Sequence, residues 1–378
     1  LDVKKKQQQE DWLDNIAIEK IADTIDERIE RIRSTYADNG SGESVQAGEG
    51  VLELLDSLRE NPEIGYPLFG PLINTILRGA RFGKFYLRSA ATGVGKTRSM
   101  IADACSIGCD TRYDSNEGKW ISIGKAQPVA FIATEQDLSE VQTMMIAFLA
   151  DVNEEHILNG EYYAGEWERV VRAGNILKAS PLFVEQLPDF SLQDIENTIK
   201  RNMREHDVRY IFLDYIHTSM KILEEISQRS GGVRLREDNI LFLLSVKLKD
   251  ICNQFGVFIL SSTQLNQDWK SSDIPDQNLL RGAKSMADKI DVGMILLDVT
   301  QDDKEALAEK CQAEGYAIPN VKLSIYKNRR GSYNKCYLWI AANKATCRFE
   351  PIFCTDYHYN LIHIADIPIN YYTGEILC

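Results

Sequence analysis

Apolar positions follow two rhythms along this chain. In the first stretch isoleucines recur at threes and fours, with Ile18, Ile21, Ile25, Ile29 and Ile32 set among Glu, Asp, Lys and Arg. That spacing draws one narrow apolar stripe along a helix running from about residue 5 to residue 37. The stripe is too narrow to close a core, so residues 1–37 read as a linker helix that needs a partner surface. That surface lies either on a neighbouring subunit or on the chain's own core. Residues 38–50, rich in Gly, Ser, Asn and Asp, read as a flexible linker.

From Val51 onward, short continuous apolar runs alternate with amphipathic stretches. Phe85–Ser89, Val129–Ala133, Tyr210–Leu213 and Val257–Leu260 read as strands, and Thr97–Cys109 as a helix. Val129–Ala133, Tyr210–Leu213 and Val257–Leu260 are uninterrupted apolar runs, which fit strands of a parallel sheet covered on both faces. Val292–Val299, Val321–Tyr326 and Lys335–Ile340 read as further strands, and Asp110–Lys125, with Trp120, as an inserted hairpin. One α/β domain is expected over residues 51–365, with a tail at 366–378.

With hydrophobic residues at 44% and charged residues at 26%, composition is that of a globular protein able to bury its own core. The formal net charge of −13 excludes a uniformly basic nucleic-acid coat but leaves room for a local basic loop. The eight cysteines follow no disulfide framework, which points to reduced thiols and a cytoplasmic protein. Cys347, Cys354, His358 and His363 fit no zinc spacing, and alternation along a strand accounts for them equally well. Cys105 and Cys109 share a helix face as small apolar groups. No apolar run is long enough to span a membrane, and the first residues do not form a signal peptide.

The chemistry concentrates at Ala90-Ala91-Thr92-Gly93-Val94-Gly95-Lys96-Thr97, which follows a strand and opens a helix. It matches GxxxxGK[ST] except for Ala90 at the first glycine. Backbone N–H groups from Gly93, Val94, Gly95, Lys96, Thr97 and Arg98 can cradle phosphate oxygens at the positive end of the helix. Lys96 can reach the β- and γ-phosphates of ATP, and the Thr97 hydroxyl can hold Mg²⁺. Asp214, ending an apolar strand, stands where the second Mg²⁺ ligand belongs. Glu135, just after another strand, would reach the same sheet edge and could activate the attacking water.

These residues resemble the DnaB-type replicative helicase family. Phe131-Ile132-Ala133-Thr134-Glu135 is similar to the segment carrying its catalytic Glu, and Phe212-Leu213-Asp214-Tyr215-Ile216 to its "IDYLQ" segment, with His217 in place of Gln. Pro181–Val184 followed by Phe190–Ile195 resembles its lead into the Asp motif. Ile259–Asn266 resembles "SQLNR", which implies that Gln264 senses the γ-phosphate. Leu280–Lys284 with Asp288 and Asp291 resembles "LRESG…D..DV", a segment that contacts the DNA backbone. Tyr326–Gly331 resembles "KQRNG", implying that Lys327 and Arg329 reach the ATP of a neighbouring subunit.

The resemblance implies a RecA-like core with a mostly parallel central sheet flanked by helices and preceded by a helical linker. It also implies a homo-hexameric ring that hydrolyses ATP at subunit interfaces and moves on single-stranded DNA. DNA contacts are expected from Arg281, Gly282 and Lys284, and from Arg234 and Arg236 in a second loop, largely to the backbone. A primase or helicase loader is the further partner implied, although the family's globular N-terminal domain has no counterpart here. The alternative is a RecA-core ATPase of another class, recombinase-like or regulatory, that unwinds nothing.

Overall fold

The computed structural model describes residues 46–60, 62–229, 236–266, 277–279, 286–331 and 333–363. The linker helix at 1–37, Arg234, Arg281, Gly282, Lys284 and the tail at 366–378 lie outside the described residues. The chain divides into two units, residues 1–60 and 61–378. Helix α1 (Val51–Glu60) belongs to the first and buries none of its residues.

The second unit is built on a nine-stranded sheet in the order β11-β10-β9-β8-β1-β7-β6-β4-β5. Six strands run parallel: β1 (Phe85–Ala90), β4 (Val129–Ala133), β5 (Leu182–Gln186), β6 (Tyr210–Asp214), β7 (Phe258–Ser261) and β8 (Val292–Asp298). β9 (Val321–Asn328), β10 (Cys336–Asn343) and β11 (Arg348–Asp356) continue the sheet antiparallel. Every residue of β1, β4, β6 and β7 is buried, as expected of strands covered on both faces. β2 (Thr111–Asp114) and β3 (Lys119–Ser122) form the expected hairpin as a separate two-stranded sheet. β11 carries Pro351 opposite the irregularity at Trp339/Ile340, on an edge where a missing N–H costs no ladder bond.

The helices between these strands are α2 (Pro71–Leu77), α3 (Lys96–Gly108), α4 (Leu138–Ala150), α5 (Glu154–Asn159) and α6 (Glu166–Ala179). They continue with α7 (Leu192–His206), α8 (Met220–Arg229), α9 (Glu237–Phe255), α10 (Met286–Lys289) and α11 (Gln301–Glu314). Reciprocal capping boxes open α4 (Asp137 with Glu140), α7 (Ser191 with Asp194) and α11 (Thr300 with Asp303). α3 starts differently, on the left-handed Gly95 with no side-chain cap, so its first-turn N–H groups remain for another acceptor.

β8 approaches β9 closely where they irregularly pair. A Cβ on Gly293 would lie 2.3 Å from Cζ of Tyr326, so only glycine admits that ring. A second, smaller core beneath α11 gathers Leu307, Cys311, Tyr337, Trp339 and Phe353. Its polar anchor is Asp303, which accepts from Lys322 Nζ at 2.8 and 2.7 Å, Thr300 N at 2.8 Å and Tyr359 Oη at 2.7 Å.

Burial raises the Asp303 carboxyl, but the bonds from Lys322, Thr300 and Tyr359 outweigh it and hold the group below its usual value. A depressed carboxylate contributes stability above its unfolded pKa and loses it as pH falls through the folded one. Asp303→Asn is expected to destabilise the protein by about 3–5 kcal/mol at neutral pH, the cost of leaving Lys322 buried without its counter-charge. In urea titrations the gap to the wild type should shrink as the pH drops below the ordinary carboxylate range. A gap independent of pH would show that the ion pair does not carry the effect.

Candidate nucleotide-binding and hydrolysis site

Four parallel strands deliver their chemistry to one edge. β1 runs into Ala91–Gly95, β4 into Glu135, β6 ends on Asp214 and β7 leads to Gln264. Ladder register aligns them: Ala133 pairs with Asp214, and Ala90 bridges to Gln264. This carboxyl edge, where β7 and β8 flank β1 on opposite sides, is the ligand crevice of open parallel sheets.

The loop after β1 turns on Gly93 (φ 84°) and Gly95 (φ 109°). A Cβ on Gly95 would stand 2.6 Å from Phe349 Cζ, so residue 95 needs glycine both for its backbone and for that contact. Space opens above Gly93, where an added Cβ would meet nothing within 4 Å. Lys344 braces the loop from outside, donating to Gly93 O at 3.2 Å and to Asp298 Oδ1 at 2.9 Å. Arg98 offers only its backbone to the cradle. Its guanidinium donates to Lys344 O at 2.9 Å and pairs with Glu154.

Asp214 is buried at the centre of the site. Thr97 Oγ1 donates to its Oδ2, Ser262 Oγ donates to its Oδ1 at 2.8 Å, and Lys96 Nζ lies 3.9 Å away. Burial pulls the Lys96 ammonium below its usual value, while Asp214 and Glu135 pull it back up. Lys96 Nζ also lies 3.5 Å from the ring centroid of Tyr215. Tyr215 Oη donates to Glu135 Oε1 at 2.7 Å, and Gln264 Nε2 donates to Tyr215 Oη at 3.2 Å. Thr134 joins the two strands beneath them, its hydroxyl donating to Asp214 O at 3.1 Å and accepting from Tyr215 N at 3.0 Å.

Thus Gly93, Val94, Gly95, Lys96, Thr97, Glu135, Asp214 and Gln264 come together. Tyr215, Ser262, Thr134 and Lys344 join them beyond what the motifs imply. Tyr215 stands in plain view beside Asp214, whereas nothing in the sequence marks Lys344, which arrives from 248 residues beyond Lys96. The donor set suits Mg²⁺, which takes one or two carboxylates and completes its shell with phosphate and water. Among the described residues no three His, Cys, Asp or Glu side chains gather as a metal cage. Cys347 and Cys354 are buried thiols, and the neighbouring Cys336, together with burial, raises Cys354 strongly.

Lys327 and Arg329 lie elsewhere. β9 runs antiparallel to β8, so Asn328 pairs with Val292 at the amino edge of the sheet. The six residues of β1 separate that edge from the phosphate loop, about 20 Å at ~3.3 Å per residue. There Lys327 Nζ donates to Ala287 O, and Arg329 donates to Asp288 O at 2.7 Å. Asp291 fastens the same rim, accepting from Phe85 N at 2.9 Å and Lys249 Nζ at 2.7 Å. Arg236 is exposed at the start of α9, 3.4 Å from Asp238.

The family model for the DnaB-like helicase C terminal domain matches residues 71–350. The SPbeta prophage-derived uncharacterized protein YorI of Bacillus subtilis (strain 168) is 37% identical over 98% of this chain and 74% of its own length. The replicative DNA helicase DnaB of Mycoplasma genitalium is 21% identical, covering 75% of this chain and 57% of that one. The probable plasmid replicative DNA helicase of Chlamydia muridarum is 23% identical over 66% and 47%. The chain thus spans about half the length of these two helicases. Among solved structures, the ATPase domain of G40P superposes with TM-score 0.62 at 15% identity, over 82% of this chain and 99% of that one. A DnaB-like replicative helicase whose structure was described with its primase interactions gives 0.61 at 15% identity, over 86% and 71%. The fold is RecA-like, as expected.

Gly95→Ala should weaken ATP binding by about 5- to 150-fold, the factor that strain of ~1–3 kcal/mol at a left-handed position corresponds to. Nucleotide titration with a fluorescent ATP analogue measures it. Wild-type affinity would mean that the loop does not need the geometry described.

Proposed function

The chain belongs to the DnaB-like helicase family, and from that premise we propose that it is an ATP-driven helicase motor. It works as a homo-hexameric ring translocating on single-stranded DNA. The observation that carries this reading is the convergence of Lys96, Thr97, Asp214, Glu135 and Gln264 on one sheet edge, while Lys327 and Arg329 stand on the opposite edge. ATP with Mg²⁺ supplies the phosphoanhydride and the metal charge. Backbone N–H groups from Gly93 to Arg98 cradle the phosphates, and Lys96 neutralises them. Thr97 and Asp214 hold the metal, and Glu135 orients the attacking water and takes its proton. Gln264 reads the γ-phosphate.

Lys327 and Arg329 cannot serve their own chain's phosphates from about 20 Å away. In a closed ring each subunit presents its amino-edge rim to the next subunit's loop, so both cations complete a neighbour's site. A finger of this kind is worth ~10³–10⁵ in rate. DNA runs through the ring against Arg281, Gly282 and Lys284, with Arg234 and Arg236 on a second loop. Contacts to the backbone make binding largely blind to sequence. A primase or helicase loader is the further partner.

Lys96→Ala should nearly abolish ATP binding, whereas Glu135→Gln should bind ATP and not hydrolyse it. Arg329→Ala should likewise bind without turnover. Mixing Arg329→Ala with Lys96→Ala protomers should restore part of the activity, because some interfaces then pair an intact loop with an intact finger. An active monomer, or mixtures that stay dead, would count against hydrolysis at interfaces. For DNA, Arg281→Ala with Lys284→Ala should weaken single-stranded binding equally for all sequences. It should also flatten the salt dependence by about one unit of slope per lost contact. An unchanged slope would remove these residues from the DNA path.

A further inference from the structure

Tyr215 touches three working groups that come from three different strand ends. Its ring lies 3.5 Å below Lys96 Nζ, and its hydroxyl stands between Gln264 and Glu135. We propose that Tyr215 is the positioning residue that couples Gln264 to Glu135, so that the state of the one sets the aim of the other. The proposal rests on the assignment of Glu135 as the water-orienting base.

The directions of the hydrogen bonds carry the argument. A tyrosine hydroxyl has one proton, and at 2.7 Å that proton goes to the carboxylate, which can only accept. The Gln264 contact must then run the other way, from the amide N–H to the hydroxyl oxygen. The result is an ordered relay, Gln264 N–H to Tyr215 O–H to Glu135 Oε1. Each bond in such a chain polarises and strengthens the next. Held through Oε1 by this chain, Glu135 keeps its other carboxylate oxygen aimed at water, and a shift of Gln264 toward a phosphate passes through the Tyr215 hydroxyl to that aim.

The surroundings make this a relay rather than a chance contact. Thr134 ties the backbone of Tyr215 to the residue preceding Glu135, with Tyr215 N donating to Thr134 Oγ1 at 3.0 Å and Thr134 N donating to Asp214 O at 2.9 Å. Ala90 and Gln264 are bridged across the sheet edge, which fixes where Gln264 enters. The moving parts are then side chains alone. The ring does something separable from the hydroxyl, since it steadies Lys96 by cation–π attraction.

Tyr215→Phe separates the two roles, because it keeps the ring and removes the relay. The variant should bind a fluorescent ATP analogue with wild-type affinity while kcat falls about tenfold, the scale of one hydrogen bond to a charged group. Gln264→Ala should also lower kcat. The double variant Tyr215→Phe/Gln264→Ala should be no slower than the slower single, because both break one chain. Wild-type kcat in Tyr215→Phe, or losses that multiply in the double variant, would overturn the coupling. Glu135→Gln in the same assay keeps the two readings apart. If it hydrolyses ATP at the wild-type rate, the base assignment falls and the relay with it. If it is inactive while Tyr215→Phe is unimpaired, the relay alone falls.

Discussion

Parallel hydrogen-bonded register among β1, β7, β6 and β4 is the constraint on which this molecule depends. Four buried strands run to the same edge of the sheet, and the residues that follow each of them carry the chemistry. A slip of one residue in β6 against β4 would part Asp214 from Ala133 and turn Tyr215 away from Glu135. Thr134 guards that register with its own backbone and hydroxyl. Burial on both faces holds the strands in place, and directional bonds at their ends aim the side chains.

The antiparallel half of the sheet contributes something different. By reversing direction after β8, it returns the chain to the amino edge and puts Lys327 and Arg329 on the rim fastened by Asp291. It then sends the β10–β11 connection back to the carboxyl edge, where Lys344 braces Gly93 and Phe349 fills the space beside Gly95. One extension thus separates two sets of polar groups and steadies the set around the phosphate loop.

Two ion pairs are buried between the sheet and its helices. Arg88 meets Asp103 at 2.7 Å, and Lys322 meets Asp303 under a roof of aromatic rings. Each pair joins a strand to a helix packed on the sheet. At the helix ends, α4, α7 and α11 satisfy their own first turns through capping boxes. α3 begins without such a side chain, directly after the glycine turns of the loop. Its free first-turn N–H groups are therefore poised to receive an anion.

Much of this was legible in the residues themselves. Unbroken apolar runs announced β4, β6 and β7 because a strand buried on both faces has no polar side to show. The loop Ala90–Thr97 announced its own chemistry because glycine spacing, lysine and threonine act locally. The hairpin around Trp120 and the thiols of Cys105 and Cys109 were local matters too. Tertiary structure decided what depends on register and strand direction. It brought Tyr215 between Gln264 and Glu135 and carried Lys344 to a loop 251 residues earlier. It also sent Lys327 and Arg329 to the far edge, because a strand's direction belongs to its pairing with neighbours and not to its own side chains.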